Sequence, residues 1–234
     1  MAIRIAFEVK KDLKENNFYV YKNPVNFLWH KGLSISQKQK SIDELHKEIK
    51  NIDSGMKILE ISTKSQDPIG KKLSAFNLSL CPPNFTHSLS VENAFQGSKV
   101  FTNGGPYTDI YFKTSIEAKK DERIKKSGNL IYFLFNNQKW DLTPKTLFYD
   151  WLYLNALNEN PNLAQYLINF NCFTDIEFNH EKSINCQAFT CALFVALYKS
   201  HETKKISLDK EEYTSFIMKY YKYNQEKYIQ NTLI

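Results

Sequence analysis

The chain has 234 residues, of which 42% are hydrophobic, 24% charged and 15% aromatic. That composition belongs to a globular protein with a real core and excludes a disordered chain. No window approaches the ~20 apolar residues of a membrane span, and Glu8 interrupts the apolar start with no cleavage site after it, so neither a membrane nor a secreted protein is expected. The 31 basic against 25 acidic residues give a net charge of +6. Arg4 and Arg123 are the only arginines. Lysine is a point charge without arginine's bidentate fork, so any nucleic acid is expected to be held by its phosphates and not read by sequence. A lysine-rich solvated surface is the alternative. Cys81, Cys172, Cys186 and Cys191 have no zinc-ligand spacing. Buried thiols at Cys186 and Cys191 would suit a reducing cytoplasm, the expected location. No metal or cofactor is expected.

Along the chain, Ile3–Val9 and Phe18–Tyr21 read as strands around a charged turn, Lys10–Asn16. Ile42, Leu45, Ile49 and Ile52 mark a helix that stops at Gly55. Lys57–Thr63 and Asn129–Phe135 read as strands. Thr143-Pro144 and Asn160-Pro161 look like N-cap and N1-proline pairs that begin helices. Asn185–Tyr198 reads as an apolar helix. Leu208–Tyr223 is the last helix, with Phe216, Ile217, Tyr220 and Tyr221 on its buried side. Strands cluster in the first 140 residues and helices in the last 95, which predicts an α+β fold. It is expected to be a single, helix-rich domain over 1–234 with a small N-terminal sheet: 1–56 an extension packed on it, 57–200 the core, and 201–234 the C-terminal helix. Thr63–Lys72 and Thr102–Tyr107, with Gly104-Gly105-Pro106, are the candidate ligand-side loops.

The chemistry concentrates in Ser90-Val91-Glu92-Asn93-Ala94-Phe95-Gln96-Gly97-Ser98-Lys99. Placed on one helix, Glu92, Gln96 and Lys99 share a face, with Val91, Ala94, Ser98 and Phe101 opposite. A solvated face is the ordinary reading of such a pattern. Against it, Glu92 and Lys99 are seven residues apart, too far for a simple helical ion pair, and Phe95 borders the stripe where its ring could meet a base. A carboxylate and an amine facing one pocket suit cleavage at an anomeric carbon. The carboxylate stabilises an oxocarbenium-like transition state; a lysine whose pKa is lowered by desolvation can instead attack an opened sugar aldehyde and form a Schiff base.

Glu92-x-x-Phe95-Gln96-x-x-Lys99 resembles the signature helix of the NADAR (YbiA-like) family, and Leu73-Ser74-Ala75-Phe76-Asn77 resembles the loop that precedes it there. Tyr149-Asp150-Trp151-Leu152, Phe173–Phe178 and Asn185-Cys186-Gln187-Ala188 are similar to the branch found beside DarT-type toxins. The resemblance implies an N-glycosidase that removes ADP-ribose from guanine in DNA. Its substrate would be ADP-ribosylated DNA or nucleoside, its product ADP-ribose, and its protein partner a DarT-type toxin. It implies Glu92 as the essential carboxylate and Lys99 as the covalent amine. Ser74, Phe76, Asn77, Phe95 and Gln96 would line the pocket, and Trp140, Asp150, Asp175 and Gln187 are further substrate-binding candidates. Two alternatives stand beside this reading. One is an N-glycosidase of phosphorylated riboflavin-pathway intermediates; the other is a non-catalytic antitoxin that docks on its partner.

The sequence departs from that family's pattern at three places. Ala75 stands in place of an amide, Asn93 in place of a histidine, and Phe189 where a basic residue is expected. Among other residues, His46 reads as solvated, and Asp175 and Glu177 as sharing one face of a short strand.

Overall fold

A computed structural model describes residues 1–83, 85–179, 181, 183–207 and 209–232. It is an α+β protein, as the segregation of strands and helices predicts, and it folds as two compact units, 1–72 with 162–234, and 73–161.

In the first unit, β1 (Ala2–Asp12) and β2 (Asn17–Phe27) pair antiparallel along their whole length. Both are longer than their apolar runs suggest. Lys10 and Lys11 continue the ladder because Tyr19 and Phe18 face them across it. Pro24 is tolerated because β2 is the sheet edge, where its missing N–H removes no ladder bond. Asn16 takes the positive φ of the turn. Next come α1 (Ile35–Ile52), β3 (Ile58–Glu60) and α2 (Pro68–Lys72). Ser34 caps α1 by accepting from the Gln37 amide. Ile42, Leu45 and Ile49 are buried against Ala6, Val25 and Phe27, but Ile52, at the last turn, is exposed.

The second unit continues with β4 (Ser79–Leu80), β5 (Leu89–Ser90), α3 (Val91–Gly97) and β6 (Lys99–Phe101). After a 3₁₀ turn over Thr108–Phe112 it runs through α4 (Ser115–Lys120), α5 (Arg123–Lys126), β7 (Leu130–Phe135), β8 (Gln138–Asp141) and α6 (Leu147–Glu159). β6, β7 and β8 form an antiparallel sheet, and β4 pairs with β5. Pro144 does not open α6: it lies in the preceding turn, its carbonyl accepting from Leu147 N at 3.1 Å. The core is aromatic, with Phe133, Phe135, Trp140 and Phe148 buried together.

α7 (Pro161–Leu167) does begin at its proline. The chain then returns to the first unit through β9 (Cys172–Thr174), α8 (Gln187–Lys199) and α9 (Lys210–Thr232). β9 completes the sheet in the order β2-β1-β9-β3, antiparallel to β1 and parallel to β3. Successive strand residues face opposite ways, so α1 covers the Ala6 side while Phe189 of α8 meets Phe7, 5.7 Å between ring centres, on the other. α9 seals the exposed edge of β2. Asn224 Oδ1 accepts from Val20 N at 2.7 Å, and Tyr220 donates to the Phe18 carbonyl at 2.5 Å. Tyr213, Ile217 and Tyr220 are its buried side, while Phe216 and Tyr221 are half-buried; Leu208, where the sequence suggested its start, lies outside the described residues.

No helix among the described residues is long and apolar enough to cross a membrane.

Candidate active site

α3 is short, and its neighbours make it rigid. Ser90 caps it by accepting from the Asn93 amide at 3.0 Å. The Ser90 hydroxyl donates to Asn93 Oδ1 at 2.6 Å, and Asn93 Nδ2 donates to the carbonyls of Ile110 and Lys113. Asn93 is therefore a structural clamp on the far side of α3, not the vacant seat of an acid. The backbone of the Leu73–Asn77 turn holds the other side: Ala75 carbonyl accepts from Glu92 N at 2.9 Å. Position 75 acts through its main chain, so the missing amide side chain leaves this support intact.

Glu92, Gln96 and Lys99 do come together, but not on one helix. The helix ends at Gly97, Ser98 is its C-cap, and Lys99 is the first residue of β6. An added Cβ at Gly97 would collide with the Tyr111 ring, so the last residue of α3 has no room for a side chain. Lys99 Nζ donates to Gln96 Oε1 at 2.7 Å, and Gln96 Nε2 donates to Glu92 Oε1 at 2.9 Å. The amide spaces the ammonium from the carboxylate, and no carboxylate forms a direct ion pair with Lys99 among the described residues. Glu92 Oε2 has no hydrogen-bond partner among them either, which leaves it available to a ligand. Glu92 and Gln96 are buried and Lys99 is half-buried.

Burial pushes the Lys99 amine down to about 8; Lys119 pushes the same way, and Glu92 opposes them. A substantial share of Lys99 is therefore neutral near physiological pH, which a nucleophilic amine requires. Its Nζ also lies 4.8 Å from the centre of the Phe95 ring. Phe95 is the half-buried rim of the aromatic core, 5.1 Å from Phe133 and 5.3 Å from Tyr149.

The remaining candidates fall in different places. Ser74 is buried, and its hydroxyl has no hydrogen-bond partner among the described residues. Phe76 is half-buried and Asn77 is exposed on the turn. Trp140 is fully buried, 4.9 Å from Trp151 and 5.5 Å from Phe148, so its ring cannot stack on a base. Asp150 is buried on α6, the helix that brings Phe148 and Tyr149 to Phe95. The loop at Gly104-Gly105 runs against the site's backbone: a Cβ at Gly105 would collide with the Lys99 carbonyl.

Asp175 and Gln187 belong to the first unit and meet there. Gln187 Nε2 donates to Asp175 Oδ2 at 2.9 Å and to the Ile61 carbonyl at 2.6 Å. Asp175 is not on a strand with Glu177; it opens a turn, accepting from Glu177 N at 3.0 Å. Burial, reinforced by the neighbouring Glu60 carboxylate, pushes it up to about 8. Glu60 is raised for the same chief reason, so the pair favours holding a proton. Glu60 carries no local signal, because its partner Asp175 lies 115 positions away. His46 is not solvated: its Nε2 lies 2.9 Å from Thr174 Oγ1, which donates to Glu60 at 2.6 Å, and burial holds the imidazole neutral, at about 4. Phe189, where a basic residue was expected, carries Lys22 Nζ 5.3 Å from its ring centre.

No curated protein matches the chain. The family model for the DarT1-associated NADAR antitoxin matches residues 2–227. With the signature residues at α3 and a match over nearly its whole length, the chain belongs to the DarT1-associated NADAR antitoxin family.

Proposed function

We propose that this antitoxin is an N-glycosidase that removes ADP-ribose from guanine bases in DNA and so reverses the modification made by a DarT-type toxin. The observation that carries the reading is the hydrogen-bonded run Glu92–Gln96–Lys99, which presents a free carboxylate oxygen and a partly neutral amine at one site.

The neutral Lys99 nitrogen bonds to C1 of the ribose as the bond from C1 to the guanine nitrogen breaks. The departing guanine nitrogen takes up the proton that the lysine nitrogen sheds. Positive charge on C1 and the ring oxygen builds up facing Glu92, whose carboxylate stabilises it. Water then adds at C1, giving a proton to Glu92, which returns it to the lysine nitrogen as the C1–N bond to Lys99 breaks. The products are ADP-ribose, the unmodified base and the free amine. Gln96 lies between Lys99 and Glu92 and is hydrogen-bonded to both. The lysine-rich surface favours a phosphate-bearing substrate without reading its sequence.

The test is incubation of the protein with a guanine-ADP-ribosylated oligonucleotide and, separately, with ribosylated pyrimidine phosphates of the riboflavin pathway. Release of ADP-ribose from DNA, competed only weakly by the pyrimidines, supports the reading. Turnover of the pyrimidines alone moves the activity to small-molecule metabolism. Capture of the toxin without turnover of either substrate makes the protein a binding antitoxin.

A further inference from the structure

We propose that Lys119 is a specificity-determining residue of this site, receiving the phosphate groups of the substrate beside the Glu92–Lys99 pair. This rests on the glycosidase reading for the substrate's identity, but the placement of Lys119 stands on its own geometry.

Two tethers fix α4, the helix that carries Lys119, to both halves of the site. Ser115 Oγ lies 2.8 Å from the Phe76 carbonyl, on the turn that holds Glu92 N, and 2.9 Å from Ser90 Oγ, the cap of α3, so its one proton is shared between these two acceptors. Thr114 and Glu117 close a capping box at the start of α4, so its short run of residues has a fixed entry. Lys119 Nζ then lies 5.1 Å from the centre of the Phe76 ring. It is close enough to Lys99 for the two charges to repel.

Lys119 has no counter-charge of its own among the described residues, as is also true of Lys120 and Lys125; what sets it apart is its seat on the Phe76 ring beside Lys99. On the neighbouring segment Lys113 pairs with Asp109 and Asp121, Arg123 with the same two carboxylates, and Lys126 with Glu122. Lys119 forms no ion pair among the described residues. An exposed cation seated on an aromatic ring, beside a second cation and one carboxylate, leaves the site with excess positive charge. An anion on the ligand satisfies it. A phosphate is the matching chemistry, because its oxygens accept from a lysine ammonium and its charge relieves the repulsion with Lys99. The sequence hides the residue: Lys119-Lys120 reads as one more pair of surface lysines.

The experiment measures ADP-ribose binding by calorimetry to the wild type, Lys119→Met and Lys119→Arg, with the pH midpoint of Lys99 labelling as a second readout. The charges facing Lys99 are Glu92 and Lys119, so removing the latter must raise that midpoint. Lys119→Met is expected to weaken ADP-ribose by ~10-fold and move the midpoint up, with Lys119→Arg close to wild type in both. Unchanged affinity in Lys119→Met overturns the proposal. So does a loss shared equally by Lys119→Arg with no change in midpoint, which marks a packing role. A wild type that binds ADP-ribose through Lys119 yet cleaves no modified DNA removes the glycosidase reading and keeps this contact. A wild type that binds no ADP-ribose overturns this contact, while the glycosidase reading stands or falls on release of ADP-ribose from modified DNA.

Discussion

Lys99 should titrate well below the ordinary lysine range. Its amine sits at about 8, against 10.5 for an ordinary lysine. At pH 7.4 that leaves about one molecule in five with a neutral Lys99, where an ordinary lysine has fewer than about one in a thousand. Between pH 6.5 and 8.5 the neutral fraction rises from about 0.03 to about 0.8, then levels off. An ordinary lysine over the same range climbs ~100-fold with no plateau. The assay is reductive methylation with formaldehyde and cyanoborohydride at a series of pH values, reading the Lys99 peptide by mass spectrometry against those of exposed lysines such as Lys126. Lys99 labelling should plateau above about pH 9 while the reference peptides keep rising. Glu92→Gln should shift the Lys99 midpoint down, because the Glu92 charge holds the amine's proton in place. A Lys99 curve that runs parallel to the exposed lysines would refute the desolvated-amine argument, and the nucleophile with it.

The same burial makes Lys99 a stability cost. Its folded-state pKa lies below the unfolded one, so the penalty is present at pH 7 and disappears as pH rises through about 10.5. Lys99→Met should therefore stabilise the fold at pH 7, by about 3 kcal/mol at most, and by less at pH 10, read as a rise in Tm in thermal melts. For Asp175 the sign is opposite: its pKa is raised from 3.8 to about 8, so stability is lost as pH climbs between those values. Glu60→Gln removes the neighbouring like charge and should flatten that fall in urea titrations at pH 5 and pH 8. Gly105→Ala, at φ +90° and against the Lys99 carbonyl, should cost ~2 kcal/mol or more by chemical denaturation. Asp12, which meets Lys227 at 2.5 Å and Tyr223 at 2.9 Å, fastens α9 to the hairpin; Asp12→Ala should speed amide exchange in α9 relative to α1.

What could be read from the residues depended on whether the deciding contact was local. The helical spacing of Ile42, Leu45 and Ile49 and the β-branched, aromatic run of β7 carry their own signal, and both elements are where that signal puts them. Glu92 and Gln96 were legible for the same reason, four residues apart on one helix. Lys99 was placed on the right side for the wrong reason, because Gly97 ends the helix and β6 takes over. Trp140 looked like a stacking ring, but its burial is set by Phe148 and Trp151 on another element. The short strand expected around Asp175 and Glu177 lies earlier, as β9 at Cys172–Thr174, because three residues gain strand form only by pairing with β1 and β3. Glu60, His46 and Lys119 carry no motif; each acquires meaning from a partner that the fold delivers.

The most direct measurement is single-turnover release of ADP-ribose from a guanine-ADP-ribosylated oligonucleotide by the wild type and by Glu92→Gln, both checked for native Tm. The expected result is release by the wild type and a loss of at least ~100-fold in rate in the variant, with oligonucleotide binding retained. Equal rates in the two proteins would contradict it, since the carboxylate on α3 would then have no part in breaking the bond.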